Sequence, residues 1–201
     1  MKKFKLWVVL LEYLRKLYNF PKYECSLYII FMRRVYLIIG GNLGNREELI
    51  DKTARQIEQK IGKVVKRSDI FESEPWGFDH DTNFLNQVLE VETSLEALCL
   101  LDTCQLIEKN LGRKRDHDDY SARTADIDVL FYDDCIYTLP PLVVPHRKLH
   151  ERMFVLKPLA QIAPSLMHPL LGKSINELLS SCSDSTQVWR YASAEKRRIM
   201  A

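Results

Sequence analysis

The chain of 201 residues has no apolar run near the ~20 residues needed to span a bilayer. The apolar stretch at residues 6–11 is interrupted by Glu12 and Arg15 and has no small-residue cleavage site, which argues against a signal peptide. Cysteine is sparse and unpatterned. Cys25, Cys99, Cys104, Cys135 and Cys182 are odd in number and form no C-x-x-C pair, which excludes a disulfide framework or zinc knuckle and fits reduced thiols in the cytoplasm. Strong charge of one sign is also missing: 29 basic residues face 27 acidic ones, for a net +2. A long polyanion such as nucleic acid is therefore a poor partner, although one local patch can still hold a small anion. Internal repeats and low-complexity linkers are absent, so the length predicts one domain or one domain with an appendage. What is present, 46% hydrophobic and 28% charged residues, is enough for an ordinary globular core.

Residues 1–31 stand apart. They carry six basic residues (Lys2, Lys3, Lys5, Arg15, Lys16, Lys22) against Glu12 and Glu24, a net of +4, so the remaining chain carries −2. A basic amphipathic surface anchor is one reading. The preferred one is upstream translation, because Met32 is followed at once by Arg33, Arg34 and a clean strand pattern. The working domain is expected over residues 32–201.

Residues 35–39 (Val-Tyr-Leu-Ile-Ile) read as a buried strand that ends at Gly40-Gly41. Asn45 and Glu48 resemble a capping box opening a helix with Leu49, Ile50, Ile57 and Ile61 on one face and Gly62 as its C′ stop. Residues 64–71 predict a second strand, residues 72–82 a long loop, and residues 84–93 a third strand. Ser94 is expected to cap a second helix to Leu111, with Leu100, Cys104, Ile107 and Leu111 as its core stripe and Gly112 as its end. Cys99 and Cys104 are expected to fill core. A polar stretch leads to a fourth strand over residues 126–132, and further helices are expected over 145–160 and 174–181. The order strand–helix–strand–strand–helix–strand predicts an α+β fold, a ferredoxin-like antiparallel sheet with a βαββαβ core and helices on both faces.

The sharpest chemical feature is Arg123-Thr124-Ala125-Asp126-Ile127-Asp128-Val129-Leu130. Strand side chains alternate, so Asp126 and Asp128 share one face about 6–7 Å apart, while Ile127, Val129 and Phe131 point into the core. Paired carboxylates can hold hard divalent cations shared with substrate phosphates. D-x-D alone also fits the solvated face of an edge strand. The basic cluster Arg113-Lys114-Arg115 and the returning Arg123 place cations at both ends of a polar loop, which suits a magnesium-bridged polyphosphate. As a bare helix end, the same cluster merely complements a helix dipole. Composition and spacing alone reach magnesium-dependent phosphoryl or nucleotidyl transfer and no further.

Five segments in colinear order carry a resemblance: Gly40-Gly41-Asn42-Leu43-Gly44, Ser73-Glu74-Pro75-Trp76-Gly77, Phe84-Leu85-Asn86, the R-x-x-D-x-D segment from Arg123 to Leu130, and Val144-Pro145-His146. Together they resemble the 6-hydroxymethyl-7,8-dihydropterin pyrophosphokinases of folate synthesis across residues 33–180. The resemblance implies that a pterin hydroxymethyl oxygen attacks the β-phosphorus of ATP and AMP leaves. It makes Asp126 and Asp128 the ligands of two magnesium ions, and Arg113 and Arg123 phosphate clamps. Gln105, Glu108, Val129, His146 and Arg152 fall on the nucleotide side, with Val129 near the adenine. Ser73, Trp76, Phe84, Asn86 and Phe154 fall on the pterin side, Phe84 and Phe154 as the sandwiching aromatics. The loops at 42–45, 72–83 and 112–124 are expected to close over substrates.

Tyr120, Ser121, Pro141 and Val143 depart from the family pattern, and residues 1–31 have no counterpart in it. The expected partners are ATP and a pterin, without nucleic acid or membrane, for a monomeric cytoplasmic enzyme. Another two-metal enzyme on a similar sheet and a non-catalytic binding module are the rival readings. Zinc at His146 and His150 is rejected, because the segment offers too few ligands.

Overall fold

A continuous apolar run, buried on both faces, defines the first strand, β1 (Arg33–Gly41), in a computed structural model that describes residues 32–77, 80–113 and 122–192. Helix α1 (Arg46–Lys60) follows, its first turn tied down by Asn45, whose side chain accepts from Glu48 N and donates to the Glu48 carboxylate. Strands β2 (Gly62–Arg67), β3 (Phe71–Ser73) and β4 (Phe84–Thr93) come next, then α2 (Ala97–Asn110) and β5 (Asp126–Tyr132). A single 3₁₀ turn (Leu149–Glu151), α3 (Met153–Ile162), α4 (Ile175–Ser181) and a short β6 (Val188–Arg190) complete the order. Residues 1–31, 78–79, 114–121 and 193–201 lie outside the described residues, and so do the expectations about the N-terminal extension, Tyr120 and Ser121.

The sheet runs β5-β1-β4-β3-β6, with β2 also on β4 and every pair antiparallel. Strands β5-β1-β4-β2 with their two crossover helices are the expected ferredoxin-like core. Both faces are covered. Leu37, Ile39, Leu89, Val91, Ile127 and Val129 pack under α1 and α2 with Ile57, Leu100, Cys104 and Ile107. Tyr36, Ile38, Val88, Leu130 and Phe131 pack under α3 and α4 with Leu156, Leu159 and Ile175. Truncating a fully buried member such as Leu37 to alanine costs ~2–5 kcal/mol.

Several local expectations are corrected, each for a physical reason. The strand expected over 64–71 is two strands. Ser68 breaks it: its N–H donates to the Val88 carbonyl at 2.9 Å and its hydroxyl accepts from Val88 N at 3.0 Å, while the Gln87 amide donates to the Ser68 carbonyl at 2.7 Å. Gly62 follows the Ile61 cap of α1 at the expected C′ position, but without the positive φ of a glycine stop. It begins β2, where a Cβ would collide with the Glu92 carbonyl. Ser94 is not the cap of α2: Glu96 holds that position without a side-chain bond, because Thr93 sets the turn, accepting from Leu95 N at 3.0 Å and donating to Ile61 O at 2.6 Å. Residues 145–148 are not helical, since His146 N continues onto Leu130 O at 3.0 Å. Phe131 faces the α3–α4 side, because a bulge against Tyr36 and Leu37 inserts Leu130 and reverses the alternation. Cys99 is exposed, whereas Cys104 is buried as expected. Strand β6 has no sequence signal of its own. No helix among the described residues is long and apolar enough to cross a membrane.

Candidate active site

Gly40 pairs with Asn86 of β4 on one side and Asp126 of β5 on the other. The three residues form one row across adjacent strands and share a face, and two interstrand spacings put Asp126 and Asn86 about 10 Å apart. One step along, Asp128 pairs with Ile38, which pairs with Val88. Both aspartates therefore point to the α3–α4 face, as the D-x-D spacing predicts. Between the two polar ends lies a bare glycine. A Cβ on Gly40 would stand 2.5 Å from Asn86 Oδ1, so only glycine leaves that amide in place.

Asp126 is held by two arginines. Arg113 Nη1 contacts its Oδ1, and Arg123 Nη1 its Oδ2 at 2.6 Å. Arg113 also contacts Glu108, whose carboxylate accepts from Ile127 N at 2.8 Å. Burial opposes the charge on Arg113, but the carboxylates of Asp126 and Glu108 outweigh it and leave its pKa raised. The start of β5 is thus fixed by the end of α2. A cleft of about 500 Å³ opens there beside Gln105, Leu106, Glu108, Lys109 and Arg113. Val129, expected near the nucleotide, has its side chain buried in the α1–α2 core.

Asp128 is partly exposed at its surface yet densely surrounded by protein. Burial and the repulsion of Asp126 push its pKa up to about 7. Two oxygen donors in mutual repulsion fit a hard cation that completes its shell with water and phosphate oxygens. Among the described residues no cluster of three or more His, Cys, Asp or Glu could hold a metal unaided. Two carboxylate oxygens of this kind suit a hard divalent cation, with the rest of its shell open to water or phosphate oxygens.

His146 sits just beyond the aspartates. Burial and then the positive charge of Arg152 push its pKa down to about 4, so the imidazole is neutral at pH 7, and its buried Nδ1 has no protein partner. The Thr124 hydroxyl is likewise buried without one. The Arg152 guanidinium lies over the Trp76 ring at 4.6 Å and the Phe154 ring at 5.6 Å, with Lys148 Nζ 5.3 Å from Trp76. On the opposite side, Asn86 is only 4% exposed and donates to Ser73 Oγ at 3.1 Å, and Ser73 itself is buried. Phe84 shares the Asn86 face by alternation, and α3, which carries Phe154, packs over that face.

Sequence reasoning missed the residues that support this arrangement. Asn42 is 1% exposed, and its side chain accepts from Arg123 N at 2.8 Å while its own N–H donates to Arg123 O at 3.0 Å. Gly41 permits that contact, since a Cβ would lie 2.5 Å from Thr124 O. An asparagine following two glycines was the available signal. Arg46 and Glu72, joined at 2.9 Å, had none.

A sequence model of the 7,8-dihydro-6-hydroxymethylpterin-pyrophosphokinase family matches residues 36–164. The chain belongs to this family. It is 38% identical over 146 residues to the 2-amino-4-hydroxy-6-hydroxymethyldihydropteridine pyrophosphokinase of Aquifex aeolicus, covering 73% of this chain and 90% of that protein. It is 43% identical over 157 residues to the folic acid synthesis protein fol1 of Pneumocystis carinii, covering 78% of this chain but 21% of that protein. The chain thus spans most of the bacterial family member and about a fifth of the fungal one. A crystal structure of Plasmodium falciparum HPPK-DHPS with pteroate shares the fold at a TM-score of 0.58 and 17% identity, over 74% of this chain and 42% of that one. A further HPPK-DHPS structure in complex with substrates matches at 0.59 and 14% identity, over 74% and 43%.

Proposed function

We propose that this chain transfers pyrophosphate from ATP to 6-hydroxymethyl-7,8-dihydropterin and releases AMP, with magnesium held by Asp126 and Asp128. The observation that carries the reading is the row Asp126–Gly40–Asn86. It sets an anionic, cation-ready end about 10 Å from a buried amide, a span that suits a triphosphate meeting a small heterocycle.

Each residue has a part consistent with its surroundings. Ser73 orients the Asn86 amide, which reads the hydrogen-bonding edge of the pterin. Phe84 and Phe154 flank the ring, and Trp76 lies beside them. Arg113, Arg123 and Arg152 meet the phosphates. In the free protein the first two are engaged by Asp126 and the third by aromatic rings, so their charge is already assembled before ATP arrives. His146, neutral at pH 7, serves ATP as a hydrogen-bond partner and not as an ion-pair partner. Gln105 and Glu108 border the cleft taken by the nucleotide. Bound magnesium would supply charge neutralisation along the triphosphate. The protein positions the pterin hydroxymethyl oxygen in line with the β-phosphorus; as that O–P bond forms, the bond from the β-phosphorus to the oxygen bridging the α-phosphorus breaks, its electron pair leaves with AMP, and the hydroxyl proton passes to water.

The test is AMP release from ATP in the presence of magnesium and 6-hydroxymethyl-7,8-dihydropterin. Pterin-dependent AMP is expected. Formation of cyclic nucleotide or free pyrophosphate, or AMP release indifferent to pterin, would reject the assignment.

A further inference from the structure

The pair Ser73↔Phe84 is the last rung of the β3–β4 ladder, and both residues belong to the proposed pterin side. Strand β3 ends at Ser73 and β4 begins at Phe84, so no rung follows it. A terminal rung of a three-residue strand frays readily unless something other than the ladder holds it. Here three devices converge on it. Arg46 Nη1, from α1, donates to the Glu72 carboxylate at 2.9 Å and to the Asn83 carbonyl at 2.7 Å, so one guanidinium ties together the neighbours of Ser73 and Phe84. The other Glu72 oxygen accepts from Trp189 Nε1 at 3.2 Å. Trp189 lies in β6, which covers the outer edge of β3 with Ser73 opposite Val188, and Lys157 Nζ on α3 anchors the Val188 carbonyl at 2.7 Å.

We propose that Arg46, Glu72 and Trp189 are positioning residues for the pterin, fixing the spacing of Ser73 and Phe84 from outside the site. Arg46 is the principal member. Its side chain is 22% exposed and that of Glu72 16%, so the pair is shielded enough for a charge-assisted bond to hold geometry, whereas Trp189 is 40% exposed and weaker. None of the three touches the aspartates, so the network acts on the heterocycle and leaves the phosphate end alone. The C-terminal strand thereby becomes part of substrate recognition, with Glu72 as the link between it and α1.

The inference rests on the proposed pterin site, and equilibrium binding of 6-hydroxymethylpterin, measured by its fluorescence without ATP or magnesium, separates the two. Arg46→Met should weaken pterin binding and raise the pterin KM roughly tenfold, the usual effect of losing one charge-assisted hydrogen bond. The ATP KM and kcat should stay within about twofold. Arg46→Lys, which keeps the donor, should restore most of the loss, and Trp189→Phe should cost roughly two- to threefold. Hydrogen exchange in Arg46→Met should quicken at Ser73 and Phe84. Unchanged pterin affinity in Arg46→Met, or a loss confined to kcat or ATP, overturns the positioning role. A wild-type chain that binds the pterin but makes no AMP overturns the assigned reaction and leaves the positioning result standing; one that binds no pterin overturns both.

Discussion

Replacing Asp128 by asparagine is expected to stabilise the protein while abolishing the proposed turnover. Burial and the adjacent Asp126 carboxylate push the Asp128 pKa from 3.8 to about 7, so the folded chain resists a charge that the unfolded chain carries freely. A carboxyl raised in this way contributes its full stability below the unfolded value, and loses it as pH climbs through about 7. A shift of that size sets an upper bound of about 4 kcal/mol. Nearby arginines and water at the partly exposed carboxylate reduce the expected gain to ~1–2 kcal/mol. Asparagine keeps the volume and never carries the charge, so its melting temperature at pH 8 should exceed that of wild type by ~2–6 °C, with a smaller difference at pH 5. Calorimetry at the two pH values reads the stability, and AMP release at saturating magnesium and ATP, expected to fall by more than ~100-fold, reads the function. An asparagine variant that melts at or below wild type at pH 8, or that retains its turnover, refutes the reasoning.

The neighbouring carboxylate should behave oppositely. Asp126→Ala leaves Arg113 and Arg123, 17% and 14% exposed, without their shared partner, so it should lose turnover and also ~1–3 kcal/mol in urea denaturation. Gly40→Ala drives a methyl against Asn86 Oδ1 and should cost ~1–3 kcal/mol while raising the pterin KM and sparing the ATP KM; steady-state kinetics with each substrate varied tests this. Asn42→Ala removes the acceptor of Arg123 N and should lower kcat/KM for ATP by roughly tenfold, and an unchanged value would dismiss Asn42 as a support. At the proposed metal site a cation competes with the Asp128 proton, so the half-saturating magnesium concentration should fall as pH rises from 6 to 8, and a flat profile would contradict the raised pKa.

The strands of the core were legible because their signals are local. Residues 84–93 and 126–132 alternate in a way that burial on both faces preserves, and the structure returns those bounds. Asp126 and Asp128 share a face for the same reason. What escaped depends on contacts across the chain. Phe131 changed sides because a bulge is decided by β1, and Ser68 ended a strand because Val88 and Gln87 offered it better partners. Helix α2 begins at Ala97 and not beside Ser94 because Thr93 reaches back to Ile61. Arg46 and Glu72 are 26 residues apart, and nothing in either neighbourhood marks them as a pair. The aromatic pair and the histidine were reached by resemblance; spacing alone did not supply them.

Strand β4 carries ladders on both edges, meeting β1 along one side and β2 then β3 along the other. Among the described strands it is also the fourth to leave the ribosome. Until residue 93 has emerged, the three earlier strands have no common partner and stay as open edges, exposed to association with other chains. Insertion of this central plank is therefore the event on which productive assembly waits, and lesions such as Val88→Ala should slow refolding more than they hasten unfolding.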